Sequence, residues 1–422
     1  MRLFLAVLVG KVIRSIARLR GGGSAIPGRI AMIIEPKLLQ KTLGSLKHGV
    51  IFVSGSNGKS TTTALVAGTL SSQGLKVFSN PSGGNMPQGI GSAVIGQASL
   101  LGKLDADVAV LEVDEAYGEV LAPFIAPSIV VLTNLQIDQL NRFFEPDRVY
   151  QMLRQAAASA TRAVVLNGSD ANLVDIGLEL TGQNVSQVEV SKKALAKWPE
   201  GALAAPRFGK DRADNSIPIS VTVSDELEGI ATLEVAGKPI SVQLPGKGLH
   251  FAIDTALAFA VADQILGESF DLESASAAIS TQQTVYGRGE IAKYQGVEIQ
   301  ILMMKNPSSM RATLVAMDDP ETNIWIAMDE GTPDPSWIFD IDLTRIGKQV
   351  RIVSGSRAWH FATRLSYAGI AVDSVAPDSK QALAEYVSFL KQNGKRGTLL
   401  TNYEQMMAIR KLMGFLDLES GK

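Results

Sequence analysis

Apolar, strand-like runs in the first half of the chain fall at 50–53, 77–79, 108–113, 129–132 and 163–166. Runs of that length with β-branched residues predict buried strands. Between them, 62–72 (closed by Gly74) and 149–160 carry helical spacing. The alternation predicts an α/β fold in which a parallel sheet is covered on both faces. From 185 to 245 the pattern changes to period two, as at 217–223 and 231–235, which predicts a β-rich insertion; 251–266 then returns to helix. A second α/β unit is predicted from about residue 292. Its strands fall at 297–302, 323–327, 350–353 and 398–400, its helices at 357–368 and 379–392, and Tyr286-Gly287-Arg288-Gly289 forms the linker. Three segments follow: an N-terminal helix and lead-in over 1–48, a central domain over 49–288, and a C-terminal domain over 289–422.

The N-terminus has its own pattern. An apolar run at 3–9 is followed at once by Lys11, Arg14, Arg18 and Arg20. It is too short to span a bilayer, and its charges come in the wrong order for a secretory signal. At helical spacing Lys11, Arg14 and Arg18 share one face, while Leu5, Val9, Val12 and Ile16 lie largely on another. Two readings stay open: a helix docked on the protein surface, and a helix resting on an anionic membrane surface. Gly21-Gly22-Gly23-Ser24 breaks it.

Composition narrows the chemistry. The 422 residues suffice for two or three cores, and a formal charge of −2 predicts no nucleic-acid partner. The absence of cysteine excludes disulfides, a Cys-ligated zinc and a thiol nucleophile. His48, His250 and His360 are too scattered to suggest a histidine metal site. Cytoplasmic residence fits this balance.

Residues 50–63, VIFVSGSNGKSTTT, run from strand through a glycine turn into a helix. Glycines let backbone N–H groups face an anion, and the helix N-terminus adds positive charge. Gly55, Ser56, Asn57 and Gly58 thus form a phosphate cradle. Lys59 can reach terminal phosphates, and the Ser60 or Thr61 hydroxyl can hold Mg²⁺. Val53 stands where the general P-loop pattern has its first glycine. Glu112 and Glu115, with Asp114 between them, follow the apolar run at 108–111, where such a fold places a Mg²⁺ ligand, though solvated loop acids are also common there. Thr133-Asn134, with Asp138, Gln139 and Arg142 beyond, and Ser82-Gly83-Gly84-Asn85 follow other strands. Each alone is a cap or a turn. All converge on one sheet edge.

The string GSNGKST, with SGGNM, LEVDE, TN…DQ…R, LNGSD and GR after it, resembles the Mur ligase superfamily of ATP-dependent amide-forming ligases. KNPSSM (305–310), DPSWIFD (334–340) and SGSRA…RLSYAGI (354–370) are similar to the MurT family within it. The resemblance implies a Mur-ligase-like P-loop central domain and a Rossmann-like C-terminal α/β domain. It also implies ATP-dependent amidation of the D-glutamate α-carboxyl of the lipid II stem peptide, as part of peptidoglycan synthesis. The carboxylate is phosphorylated to an acyl phosphate, and ammonia from a separate GatD-like glutaminase attacks it. Carried over by motif, Lys59 holds phosphates, Ser60 and Glu112 hold Mg²⁺, and Asn85 and Arg288 help position nucleotide or acyl phosphate; Asn134, read with the cradle, belongs to a second wall of the nucleotide site. Asp334 completes the partner's Cys-His pair. Peripheral contact with the inner membrane face is the remaining partner expectation.

Four departures stand against the family pattern. No cysteine occurs in 190–245, so no zinc ribbon is expected. Ser309 and Arg311 replace a glycine and an amide, and Phe251 replaces an asparagine at the start of the helix after Gly248. The loop before Asp334 is about three residues shorter than the family form. Two alternatives remain: another Mur-type amino-acid or γ-glutamyl ligase, and a non-catalytic ATP-binding scaffold.

Overall fold

The computed structural model describes residues 1–19, 25–80, 84–136, 146–196, 207–208, 215–282, 287–304, 306–317, 323–330, 338–339, 341–394 and 396–415. Helices α1 (Arg2–Leu19), α2 (Ile26–Ile34) and α3 (Leu38–Leu43) precede β1 (Val50–Ser54). Then come α4 (Lys59–Ser72), β2 (Val77–Ser79), α5 (Pro87–Gln97), β3 (Val108–Glu112), α6 (Glu115–Ile125) and β4 (Ile129–Leu132). Helix α7 (Pro146–Ala158), β5 (Ala163–Asn167), α8 (Ala171–Glu179) and β6 (Val185–Val190) complete the parallel part.

Every residue of β1, β3, β4 and β5 is buried, which requires a sheet covered on both sides. Pleating sorts the side chains between two cores. Ile51, Val53, Val108 and Val110 face the cluster that includes α4, while Val50, Phe52, Ala109 and Leu111 face the cluster built with α3, α5, α6 and α7. The strand order puts β1 between β3 and β4, and the crossovers from the neighbouring strands β1 (to β2) and β4 (to β5) run to opposite sides. The C-terminal edge of the sheet at that point is where such folds open a ligand crevice.

Residues 185–245 do not form a separate insertion. Strands β6, β7 (Ile219–Leu227), β8 (Ile230–Val235) and β9 (Lys238–Gln243) continue the same nine-stranded sheet, ending in an antiparallel meander. The change to period two reflects one-sided burial rather than a new core. Val221, Val223, Ala231, Leu233 and Val242 join the cluster that holds α4, and their neighbours face outward. That cluster is completed by α9 (Leu249–Leu266) and α10 (Leu272–Thr281). Helix α9 is long and apolar enough to cross a membrane, but it lies mostly buried as the central core helix.

A second sheet begins at Arg288, slightly earlier than its sequence pattern indicates. It runs β10 (Arg288–Tyr294), β11 (Val297–Met303), β15 (Gly397–Thr401), β12 (Asn323–Ala327), β13 (Gln349–Ser354) and β14 (Ala371–Ala376). The β10–β11 pair is antiparallel and the rest parallel. Helices α11 (Pro307–Ala316), α12 (Ala358–Tyr367), α13 (Ser379–Asn393) and α14 (Tyr403–Leu412) cover it. Trp325, fully buried, donates its indole N–H to Ser354 Oγ at 2.7 Å, so its polar edge is satisfied within the core.

Helix α1 docks, but through a different face from the apolar one the helical spacing highlights. Ala6, Val7 and Gly10 pack inward, with Gly10 against Ile95 of α5, and Arg14 Nη1 donates to the Ser92 carbonyl at 3.4 Å. Leu5, Val12 and Ile16 point to solvent.

Candidate functional site

The cradle forms because two positions accept only glycine. Gly55 has φ +136°, and a Cβ there would lie 2.2 Å from Thr133 Oγ1. Gly58 has φ +81° and sits against Asp254, whose Oδ1 would be 2.9 Å from an added Cβ. Gly58 is also the N-cap of α4 and makes no side-chain cap hydrogen bond among the described residues, and such a helix N-terminus suits an anion. Gly58→Ala forces an L-residue into left-handed backbone beside a carboxylate. The expected result is a loss of ATP affinity of about tenfold or more by titration calorimetry.

Three residues after β4 wall the loop. Asn134 Oδ1 accepts from Asn57 N at 2.8 Å, its Nδ2 donates to Asn57 O at 3.0 Å, and its carbonyl accepts from Ser56 N at 2.9 Å. Thr133 Oγ1 donates to Asn57 O at 2.6 Å, and Gln136 N donates to Ser56 Oγ at 3.0 Å. Below the loop, Thr62 Oγ1 donates to Asp254 Oδ1 at 3.0 Å, which ties α4 to α9. Asp170 accepts from Leu135 N at 2.6 Å and caps α8, holding this wall in place. Its burial pushes that carboxyl up to about 7.

Lys59 lies on the opposite side of the loop. It is buried, and its Nζ donates to the carbonyls of Gly55 and Ser56 and pairs with Glu115 at 2.9 Å. Burial alone pushes the ammonium down. The carboxylates of Glu115, Asp114 and Glu112 more than reverse that, leaving its pKa above the ordinary lysine value. Lys59 is therefore a cation at neutral pH. Asp114 caps α6 through Ala116 N at 3.1 Å, which fixes Glu115 in the first turn. Glu115 Oε2 is buried with no hydrogen-bond partner among the described residues. The backbone of Glu112 is clamped by Asn80, whose Oδ1 accepts at 2.9 Å and whose Nδ2 donates at 3.0 Å; Asn85 Nδ2 reaches Glu112 Oε1 at 3.4 Å.

The residues singled out in the sequence thus fall into two neighbouring groups. Asn57, Gly58, Thr61 and Asn134 line a cavity whose other walls come from His250, Phe251 and Asp254 of α9 and from Gly287, Gly289, Leu302 and Ser308 of the C-terminal unit. Lys59, Glu112 and Asn85 form a carboxylate-rich corner outside that lining. Arg288 begins β10, but its side chain lies outside the described residues, as do Asp334, Asp138, Gln139 and Arg142. Sequence reasoning missed the roles of Asn80, Gln136 and Asp254, and it named Glu115 as a Mg²⁺-ligand candidate but not as the partner of Lys59. Only Glu115 had a visible signal, in the acidic run after β3.

Two departures from the family pattern have structural explanations. Phe251 packs its ring over Gly246, where a Cβ would be 2.4 Å away, and serves as a core residue at the cavity floor. Ser309 closes a capping box with Asn306: Ser309 N donates to Asn306 Oδ1 at 2.8 Å, and Asn306 N donates to Ser309 Oγ at 3.0 Å. Asn306 meets Asn57 of the cradle through an amide pair at 3.3 and 3.4 Å, joining the two units at the cavity. No group of three or more His, Asp or Glu among the described residues is arranged to hold a metal. A cation here would draw much of its coordination from a ligand's oxygens.

Family models match two parts of the chain: the Mur ligase middle domain at residues 53–262 and the MurT ligase C-terminal domain at 303–406. Over 97% of its length the chain is 24% identical to the lipid II isoglutaminyl synthase (glutamine-hydrolyzing) subunit MurT of Streptococcus pneumoniae, covering 96% of that protein. The subunit of the same description from Staphylococcus aureus is 26% identical, with 88% of this chain and 89% of that protein covered. The fold is similar to that of the MurF ligase from Thermotoga maritima in complex with ADP, with a TM-score of 0.63 and 17% identity over 90% of this chain and 84% of that one.

Proposed function

Because the chain belongs to the Mur ligase superfamily, in its MurT branch, we propose that it amidates the D-glutamate α-carboxylate of a lipid II stem peptide at the expense of ATP. The observation that carries this reading is the buried, cationic Lys59, placed at the mouth of a glycine cradle and ringed by acids. A carboxylate is a poor electrophile and needs a leaving group. Its oxygen attacks the γ-phosphorus, the bond to the β-phosphate oxygen breaks, and ADP leaves. Ammonia's lone pair then attacks the acyl carbon, the carbon–oxygen bond to phosphate breaks, and nitrogen gives up a proton.

The chain's own groups bind and orient. Backbone N–H groups at the start of α4 receive the phosphates, and Lys59 exchanges the Gly55 and Ser56 carbonyls for a phosphate oxygen. The cavity shared with α9 and the C-terminal unit accepts the rest of the nucleotide, with Asn134 setting its wall. Mg²⁺ suits the corner beside Lys59: its donors are hard oxygens, and one buried carboxylate oxygen of Glu115 is unsatisfied. Ser60 and Glu112 would hold it, and it would supply charge neutralisation for the phosphoryl group.

On this reading ammonia would come from a GatD-like partner subunit, which suits a chain that has no cysteine and so cannot house a thiol glutaminase itself. Asp334 would orient that partner's histidine. The test combines the purified chain with ATP, Mg²⁺, lipid II and ammonium, and follows lipid II by mass. The expected change is one carboxyl to amide, with glutamine replacing ammonium only when the glutaminase is added. No change with ammonium overturns the reading, and an amino-acid-sized gain points to a conventional Mur-type ligase.

A further inference from the structure

The outward face of α1 has the wrong polarity for water. Phe4, Leu5, Leu8, Val12 and Ile16 are 43%, 49%, 38%, 52% and 47% exposed. At about 100° per residue these five side chains fall within one third of the helix circumference. Lys11 lies at one border of that stripe and Arg2 toward the other. The inner face is already occupied: Ala6, Val7 and Gly10 are buried against α2 and α5. The stripe is therefore a second apolar face, held outward by a docked helix rather than left over from a loose one. A single exposed leucine needs no explanation, but a row of five from Phe4 to Ile16 along one helix face does.

Charge identifies the occupant. Residues 1–34 contain six cations (Arg2, Lys11, Arg14, Arg18, Arg20 and Arg29) and no acid, whereas the whole chain has a formal charge of −2. An apolar stripe bordered by cations, lying parallel to a surface, is the pattern of a helix seated in the headgroup layer of an anionic bilayer. It cannot span one, because its other face is packed on α5. We propose that α1 docks the chain on an anionic lipid surface, with the row from Phe4 to Ile16 entering the acyl boundary. This deepens the preceding reading, since a lipid-linked substrate sits in that same surface, but the binding step stands independently of it.

The experiment uses the full chain and two variants, Leu8→Glu/Val12→Glu and Lys11→Glu. Both change outward side chains remote from the cradle. Sedimentation is measured with vesicles of phosphatidylglycerol and phosphatidylethanolamine, and with vesicles of phosphatidylcholine alone. Wild type should bind the anionic vesicles, bind the neutral ones more weakly, and lose only part of its binding in high salt. The double variant should lose about tenfold or more in partitioning with unchanged thermal stability. Equal binding by wild type and double variant, or no binding by wild type, overturns the proposal. So does a double variant that turns a dimer into a monomer by light scattering, which would make the stripe a contact between copies. Amidation of a short-chain, water-soluble lipid II analogue separates the two readings. The double variant should process it at the wild-type rate, and failure of both proteins there would count against the ligase reading alone.

Discussion

Lys59→Ala is expected to abolish ammonium-driven amidation, with a fall of about 10³-fold or more in kcat. A preorganised cation at a transferring phosphoryl group contributes several kcal/mol to the transition state. Stability changes too. Removing the ammonium leaves Glu115 buried without its counter-charge, which costs about 3–5 kcal/mol by analogy with other broken buried pairs. A dead but unfolded protein would prove nothing, so the double variant Lys59→Ala/Glu115→Ala accompanies it. The double variant should recover most of the lost urea stability and none of the activity. Near-normal turnover by a folded Lys59→Ala protein would remove the cradle lysine from the mechanism.

The second large effect is expected from Arg410→Ala in α14. The Arg410 side chain is fully buried, pairs with Glu290 of β10, and lies with its guanidinium 4.3 Å from the Phe415 ring centre. From the same helix, Met406 packs on Gly287, where a Cβ would come within 2.3 Å of its sulfur. The helix therefore fixes the stretch that supplies Gly287 and Gly289 to the cavity. Truncation leaves Glu290 uncompensated and should cost the C-terminal unit about 3–5 kcal/mol, read as faster hydrogen exchange across β10 and β11 in mild urea. Nucleotide affinity should fall with it. Replacing both partners, Arg410→Met with Glu290→Met, should restore protection to within about 1 kcal/mol, because two apolar groups leave no orphaned charge. Undisturbed exchange in Arg410→Ala would show that packing alone holds the hairpin.

Much of this molecule was legible without coordinates, for local reasons. A strand buried on both faces must be apolar throughout, so β1, β4 and β12 show up as runs. Glycines with positive φ beside a lysine and hydroxyls spell the cradle, because few other residues tolerate that backbone. Other elements left no such trace. Strand β14 is only partly buried and pairs on one side, so its apolar signal is weak. The alternation of β7–β9 was visible, but a period of two reports one covered face without saying which sheet the strand joins.

What the sequence by itself determined is the chemistry on offer: a phosphate cradle with its lysine, acids after the next strand, no thiol, and the resemblance that links them to carboxylate activation. What only the tertiary structure decided is which groups meet. Glu115, rather than Glu112, pairs with Lys59, because the Asp114 cap turns it inward. Asp254, 192 residues from Thr62, braces the loop, and Asn306, 249 residues from Asn57, closes over it. The helix that carries the basic N-terminus turns its more obvious apolar face outward, because α5 receives the small residues Ala6 and Gly10. Local sequence encodes backbone preference and burial, whereas long-range pairing depends on how sheets and helices stack, and no spacing along the chain records that.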